Sequence, residues 1–202
     1  MRVFLETERL ILSEFTEDDV DNLVELDSDP EVMRYLNGGI PSPRLLVERS
    51  ILPRFLSYYQ RYDGFGVWAA IEKSSGAFIG WFSLRPHDES CPDEVELGYR
   101  LRRSAWGHGY ATEGARALIR KGFTELGVQR VTANTYEHNA ASRRVMEKAG
   151  MTLVRSYRPT LDELTNETSN HLTVGAVWDG DEVEYALTKT DWEQTGTSSD
   201  PE

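Results

Sequence analysis

The sequence contains one cysteine and no long apolar run. Cys91 is the only cysteine among 202 residues, so an internal disulfide is excluded, which favours a reducing compartment. The longest uninterrupted apolar run is residues 67–71, and the N-terminal apolar stretch ends at Glu6. Both are too short for a signal peptide or a membrane span. We therefore expect a cytoplasmic protein with no membrane partner.

A metal-ligand pattern and two nucleotide-binding motifs are also missing. The four histidines (His87, His108, His138 and His171) are scattered without metal-ligand spacing, so we expect no metal. The GKS or GKT of a Walker loop is absent. A dinucleotide fingerprint is excluded because Thr112 stands where the third small residue should be.

Basic residues are scarce overall but concentrated in one region. The chain has 22 Lys and Arg against 34 Asp and Glu, for a net charge of −12. Residues 100–150 nevertheless carry ten Lys and Arg against four acids. A basic region in an acidic protein suits a small polyanionic ligand. It argues against nucleic acid, because the acidic remainder would repel a long phosphate backbone.

A glycine-rich turn lies within this basic region. Residues 106–113 read WGHGYATE, between a strand-like segment at 94–101 and an amphipathic segment at 114–123. Two glycines at a strand-to-helix junction allow a tight turn that directs free N–H groups, and the positive end of the helix dipole, at one point. The pattern is typical of an anion-binding site.

This turn resembles the acyl-CoA pyrophosphate loop of the GNAT family of N-acetyltransferases, and its WGxGYATE form is most similar to the RimJ/RimL-like branch. The resemblance implies that acetyl-CoA is bound by Trp106, Gly107, His108, Gly109, Tyr110, Ala111 and Thr112. Trp106 replaces the usual Gln or Arg. We therefore expect it to contribute through backbone or packing rather than through charge.

The strand before the loop carries a candidate catalytic base. Its alternation places Glu94, Glu96, Gly98 and Arg100 on one face, and such a polar face within a central strand indicates a cleft. The resemblance implies that Glu96 is the base, and that the backbone of Tyr99, Arg100 and Leu101 contacts the cofactor. An ion pair between Glu96 and a nearby arginine is an equally weighted alternative.

A second segment, residues 139–151, resembles the family's pantetheine-binding helix. The resemblance implies that Asn139 and Ser142 contact the cofactor. Met146 occupies the position at which many relatives carry a tyrosine acid, so Ser142, one helical turn earlier, is the candidate to assist the thiolate. The alternatives are an ordinary N-cap for Asn139 and an ordinary helix serine for Ser142.

The whole pattern predicts one mixed α+β domain over residues 1–192, followed by a disordered tail at 193–202. We expect a central, mostly antiparallel sheet flanked by helices, with an edge strand at 9–15 and a helix over 43–62 broken or kinked by Pro53. The other predicted strands are 65–72, 77–84, 94–101, 130–136, 151–157 and 182–188. Counting the strand at 9–15 as the first, the resemblance implies that the sheet splays between the fourth and fifth strands, 94–101 and 130–136. Residues 158–180 are expected to form a flexible loop.

These observations predict an acetyl-CoA-dependent N-acetyltransferase that uses direct attack in a ternary complex. The expected acceptor is a primary amine, either a protein N-terminal α-amino group or a small molecule. A non-catalytic acyl-CoA-binding or sensing domain is the alternative, because the usual tyrosine is missing. The oligomeric state stays open, with a homodimer as the candidate.

Overall fold

The computed structural model describes residues 2–88, 91–158 and 180–197. Within these ranges the strands are β1 (Val3–Glu6), β2 (Leu10–Glu14), β3 (Gly66–Glu72), β4 (Phe78–Asp88), β5 (Cys91–Leu101), β6 (Arg130–Tyr136), β7 (Thr152–Tyr157) and β8 (Glu182–Thr188). The α-helices are α1 (Val20–Leu26), α2 (Pro30–Asn37), α3 (Arg44–Leu46), α4 (Leu52–Arg61), α5 (Tyr110–Glu125), α6 (Ala140–Lys148) and α7 (Lys189–Thr197). The predicted flexible loop lies almost entirely outside the described residues.

The strands form one eight-stranded sheet in the order β1-β2-β3-β4-β5-β6-β8-β7. Neighbouring strands are antiparallel except for β5 and β6. The expected single-domain mixed fold is therefore confirmed. The edge assignment for residues 9–15 was wrong, because β1 pairs with the outer side of β2. The sequence gives little signal for β1, which is only four residues long, and the stacking of Phe4 on Trp68 holds it in place.

The strands β4 and β5 are longer than the sequence predicted. Their antiparallel pairing continues through Arg85↔Glu96 and Pro86↔Val95, beyond residue 84, where the predicted strand 77–84 ends. Arg85, Pro86 and His87 carry no apolar alternation, so the sequence pattern ends before the strand does. The extension matters because all three residues line the cleft described below.

The strands β5 and β6 pair over only three positions and then separate. The last pair is Glu96↔Thr132, although β5 remains paired with β4 as far as Leu101 and β6 with β8 as far as Tyr136. These are the fourth and fifth strands of the sequence prediction, so the expected splay is confirmed. It leaves an opening in the middle of the sheet.

Helices cover both faces of the sheet. On one face α5 and α6 pack against a core that includes Phe82, Leu97, Leu118 and Met146. On the other face α1 and α4 contribute to a second core that includes Phe55 and residues of β3 and β4. The opening between β5 and β6 thus connects two layers, each built on its own apolar core.

The helical segment predicted over 43–62 is not broken at Pro53. A π-helical stretch, Val47–Ile51, leads directly into α4, and Pro53 stands in the first turn of α4. The ring of Pro53 crowds the carbonyl four residues earlier, at Arg49, and this residue lies within the π-helical stretch, where the regular α-helical bonding is already altered.

The C-terminal helix α7 extends beyond the boundary expected at residue 192. Thr188 Oγ1 accepts a hydrogen bond from the Asp191 backbone N–H (3.2 Å), and the Trp192 ring packs against Phe123. Local capping and this contact keep residues 193–197 helical, although their composition resembles that of a tail. Residues 198–202 lie outside the described ranges.

Candidate active site

The glycine turn precedes α5 as the sequence predicted. Gly107 and Gly109 have φ angles of 79° and 83°, and Gly109 is the N-cap of α5. Side chains are disfavoured in this left-handed region, so glycine is required by the backbone. The first N–H groups of α5 have no intrahelical acceptors and lie at the positive end of its dipole. The turn can therefore bind an anion such as a pyrophosphate.

The turn is anchored from behind by the N-terminal segment. The Arg9 guanidinium donates to the His108 carbonyl (2.8 Å) and to Glu113 Oε2 (2.7 Å), and Thr7 Oγ1 donates to Glu113 Oε1 (2.5 Å). Although burial raises the pKa of Glu113, the hydrogen bonds from Thr7 and Arg9 hold it below its usual value. Arg9 also lies 4.6 Å from the centre of the Tyr110 ring. The shape of the loop is therefore fixed by contacts spanning about half of the chain.

Trp106 is bonded to the backbone at the end of β5. Its indole N–H donates to the Leu101 carbonyl (2.9 Å), while 45% of the residue remains exposed. This bond ties the loop to the end of β5, and it uses the Leu101 carbonyl internally. The contribution of Trp106 to cofactor binding through backbone or packing stays a prediction.

A cleft of about 960 Å³ runs from this loop through the opening in the sheet. It is lined by residues of both sheet faces, so the two sides of the sheet communicate here. Of the residues assigned to the site from sequence, the cleft is lined by Glu96, Tyr99, Arg100, Leu101, Trp106, Gly107, Gly109, Tyr110, Ala111, Thr112, Asn139 and Ser142. His108 is not among the lining residues; its ring stacks on Tyr110, with centroids 5.8 Å apart.

Glu96 lies in the cleft and pairs with Arg85. The Arg85 guanidinium donates to Glu96 Oε2 (2.7 Å), and the two side chains are only 4% and 16% exposed. Burial, followed by repulsion from Arg85, lowers the pKa of the neighbouring Arg54 to about 10. Glu96 therefore compensates buried positive charge, which is the ion-pair role that the sequence analysis gave as the alternative. It also faces the space in the cleft that an acceptor amine would occupy.

The side chain of Arg100 is held by the end of α1. Its guanidinium donates to Asp27 Oδ1 (2.5 Å) and lies 5.2 Å from the centre of the Trp81 ring. Asp27 is 1% exposed and also accepts from Ser42 Oγ. The Arg100 charge is thus neutralised within the protein, which leaves its backbone as the part suited to a cofactor contact.

At the start of α6, Asn139 caps the helix and Ser142 contacts β5. Asn139 Oδ1 accepts from the Ser142 N–H (3.2 Å), so its ordinary capping role is present. Ser142 Oγ lies 2.9 Å from the Tyr99 hydroxyl. Met146, at the usual tyrosine position, is 2% exposed and belongs to the apolar core, so it fills space and supplies no proton.

The far side of the cleft contains polar residues that the sequence analysis did not select. His87 Nε2 lies 2.7 Å from Thr132 Oγ1, and the buried Glu182 accepts a hydrogen bond from the Tyr157 hydroxyl (2.9 Å). Asn134 Oδ1 is buried and has no hydrogen-bond partner among the described residues. The polar alternation of residues 132, 134 and 136 was the available signal, since it repeats the pattern around Glu96.

The described residues contain neither a metal-ligand cluster nor a membrane-spanning helix. In residues 2–88, 91–158 and 180–197, no three His, Cys, Asp or Glu side chains are grouped so as to hold a metal ion. Within the same ranges no helix combines the length and the apolarity needed to span a membrane.

Comparison with known proteins gives consistent results. The profile of the acetyltransferase (GNAT) domain matches residues 9–152. A relative from Aspergillus fumigatus, named FsC-acetyl coenzyme A-N(2)-transacetylase, is 31% identical over 196 residues, which is 93% of this chain and 77% of the relative.

Solved structures extend the comparison. RimL, a ribosomal L7/L12 α-N-protein acetyltransferase in complex with coenzyme A, superimposes with a TM-score of 0.71 at 15% identity, covering 93% of this chain and 98% of RimL. An aminoglycoside acetyltransferase in complex with coenzyme A gives 0.68 at 21% identity, covering 93% of this chain and 99% of its own. At these identities the similarity concerns the fold, and it is nearly equal for two different branches.

Proposed function

Because this chain belongs to the GNAT acetyltransferase family and is an N-acetyltransferase, we propose that it transfers the acetyl group of acetyl-CoA directly to a primary amine bound in the same cleft. One observation carries the proposal. The cleft joins an anion-binding helix N-terminus on one side of the opened sheet to a polar pocket on the other. Both reactants can therefore meet between β5 and β6 without an enzyme-bound acetyl intermediate.

The cofactor half of the cleft suits acetyl-CoA. The glycine turn would hold the pyrophosphate, and Arg144 and Lys148 on the same side add positive charge. Beyond Glu96, none of the described residues pairs with β5 on its β6 side, so backbone groups there would be available to the pantetheine arm. Acetyl-CoA supplies the acyl group as a thioester, and the N–H groups of β5 would stabilise the negative charge that develops on its carbonyl oxygen.

The acceptor half suits an amine that carries positive charge in solution. Three carboxylates, Glu31, Glu96 and Glu182, line the cleft with the aromatic side chains of Tyr35 and Tyr58, and Arg34 and Arg85 line it too. Carboxylates and aromatic faces both favour cations. The buried Asn134 Oδ1 would receive an N–H from the acceptor, which would compensate an otherwise unfavourable burial.

We propose Glu96 as the base that removes the proton from the attacking nitrogen, acting through a water molecule. The ion pair between Arg85 and Glu96 Oε2 holds the carboxylate in place in the cleft. The name of the Aspergillus fumigatus relative places its acetyl transfer at an N(2) position, and the structural neighbour RimL is named an α-N-protein acetyltransferase. Both names specify transfer to nitrogen, which supports an amine acceptor here, and the RimJ/RimL-like branch stays a proposal.

The experiment is an acceptor panel monitored by release of the free CoA thiol. The panel pairs each cationic amine, such as a basic peptide or a polyamine, with a neutral or acidic counterpart of similar size. We expect steady turnover, with kcat/KM higher for the cationic member of each pair. Tight acetyl-CoA binding with only background hydrolysis, whichever amine is added, would contradict the proposal. Equal kcat/KM for the two members of each pair would contradict only the electrostatic argument.

A further inference from the structure

The Tyr99 hydroxyl lies in direct contact with Ser142 across the cofactor half of the cleft. Its oxygen is 2.9 Å from Ser142 Oγ and 3.1 Å from the Ser142 carbonyl oxygen. Tyr99 belongs to β5 and Ser142 to the first turn of α6, so the contact joins the two elements that border the cleft. Both residues line it.

The two hydroxyl groups can share their protons in two ways. In the first, Ser142 Oγ donates to Tyr99, and Tyr99 donates to the Ser142 carbonyl. In the second, Tyr99 donates to Ser142 Oγ, which releases the serine proton to point into the cleft. The first arrangement holds both protons in hydrogen bonds within the protein, and the second does so once an acceptor lies in the cleft. The second therefore becomes favourable when negative charge develops on a nearby sulfur.

Burial disfavours proton transfer from Tyr99. It raises the pKa of Tyr99 above the ordinary tyrosine value, although the hydrogen bond with Ser142 opposes the shift. A thiol has a pKa of about 8.5, so passing the tyrosine proton to a thiolate is uphill, and burial makes it more so. Tyr99 therefore keeps its proton at neutral pH and serves as a hydrogen-bond donor.

We propose that Tyr99 is a positioning residue that turns the Ser142 hydroxyl toward the departing sulfur of CoA. The proposal rests on the acetyl transfer proposed above. When the tetrahedral intermediate collapses, the C–S bond breaks and its electron pair moves to sulfur, where the Ser142 O–H donates a hydrogen bond. The thiolate then takes a proton from water, while the attacking nitrogen loses one to the base. The Tyr99–Ser142 pair thus supplies the hydrogen bond to the departing sulfur, which the buried Met146 side chain, lacking a hydroxyl, does not supply.

The experiment is a double-mutant cycle on Tyr99→Phe and Ser142→Ala, measured as kcat with the acceptor saturating. We expect each single variant to lose about tenfold, the effect of one hydrogen bond of about 1.4 kcal/mol in the transition state. The double variant should lose no more than either single one, because Tyr99 acts only through Ser142. The KM for acetyl-CoA should change by less than twofold.

The matched control is Tyr59→Phe. Tyr59 is also largely buried, and its hydroxyl accepts from the Phe15 N–H (3.0 Å) and donates to the Val67 carbonyl, but it does not line the cleft. This variant should lower the melting temperature without lowering kcat. It separates loss of a buried tyrosine hydroxyl in general from loss of the contact with Ser142.

A seleno analogue of acetyl-CoA gives a second readout. A selenolate is a much better leaving group than a thiolate, so it needs less stabilisation, and the Tyr99→Phe loss should shrink toward unity. A purely structural role would leave the loss unchanged. Losses that multiply in the double variant, or a Tyr99→Phe enzyme with wild-type kcat, would overturn the proposal.

The outcome is distinguishable from failure of the proposed function. If the wild-type protein acetylates no amine, the acetyl-transfer proposal fails on that result alone. The same double-mutant cycle is then measured on the slow hydrolysis of acetyl-CoA by the protein, because this hydrolysis expels the same thiolate. Equal hydrolysis rates in wild type and Tyr99→Phe would then overturn the positioning role.

Discussion

A residue proposed for chemistry can also contribute to stability, and Glu96 combines the two. Its carboxylate is paired with Arg85 at 2.7 Å and is mostly buried. A buried ion pair that loses one partner leaves an uncompensated charge, which is strongly destabilising. Any test of Glu96 as a base must therefore separate loss of activity from loss of folded protein.

At the residue scale, Glu96→Gln should lower turnover by about a hundredfold, the usual scale for removing a general base. The loss should shrink at alkaline pH, where more of the acceptor amine is already neutral. Initial rates between pH 6 and 10, corrected for the folded fraction from circular dichroism, provide the measurement. Full activity of Glu96→Gln at neutral pH would mean that another group, or none, accepts the proton.

The matched control for this prediction is Glu94→Gln. Glu94 lies on the same face of β5 and pairs with Arg130 at 2.5 Å, but it does not line the cleft. We expect its turnover to stay within twofold of wild type. A comparable loss in both variants would assign the effect to the charge of the strand rather than to Glu96.

At the element scale, α5 and its preceding turn form the proposed cofactor-binding unit. The turn has two glycines in the left-handed region, and Arg9 and Glu113 fix it against the N-terminal strands. An added Cβ at Gly109 would lie 3.5 Å from Nη2 of Arg9, the residue that anchors the turn.

We predict that Gly109→Val abolishes acetyl-CoA binding, because a side chain would disturb the turn and block the approach of the pyrophosphate to the backbone. Gly127→Val is the matched control. Gly127 has a φ of 77°, an added Cβ there meets nothing within 4 Å, and it lies outside the cleft, between α5 and β6. Both variants should lose similar stability, about 2 kcal/mol from left-handed strain.

Calorimetric titration distinguishes the two. Gly127→Val should bind acetyl-CoA with wild-type affinity, whereas Gly109→Val should bind at least a hundredfold more weakly. Retained affinity in Gly109→Val would place the phosphates elsewhere on the protein.

At the scale of the whole molecule, a ligand that binds only the native state raises the melting temperature. Acetyl-CoA at a hundred times its Kd should stabilise the fold by about 2.7 kcal/mol. For a chain of this length that corresponds to a rise of about 5–10 °C. NAD at the same concentration should give no shift, because the turn lacks the third small residue of a dinucleotide site. An equal shift from NAD in differential scanning calorimetry would contradict the assignment of the loop.

The sequence by itself determined the features that depend on neighbouring residues. The paired glycines before α5, the alternation of β5 and β6, and the Asn139 cap each act within a few positions of the chain. Their physics is that of backbone conformation and local hydrogen bonding, so the fold, the anion site and the position of the opening were predicted from pattern and resemblance.

Tertiary structure alone decided which side chains meet. Arg85 pairs with Glu96, Asp27 holds Arg100 from 73 positions away, and Glu113 accepts from Thr7 across 106 positions. The contact of Tyr99 with Ser142 spans 43 positions and gives no periodic signal in either segment. Such pairings depend on which strands are neighbours and on where β5 and β6 separate. These are global properties of the sheet, because each strand's partner lies far away in the chain.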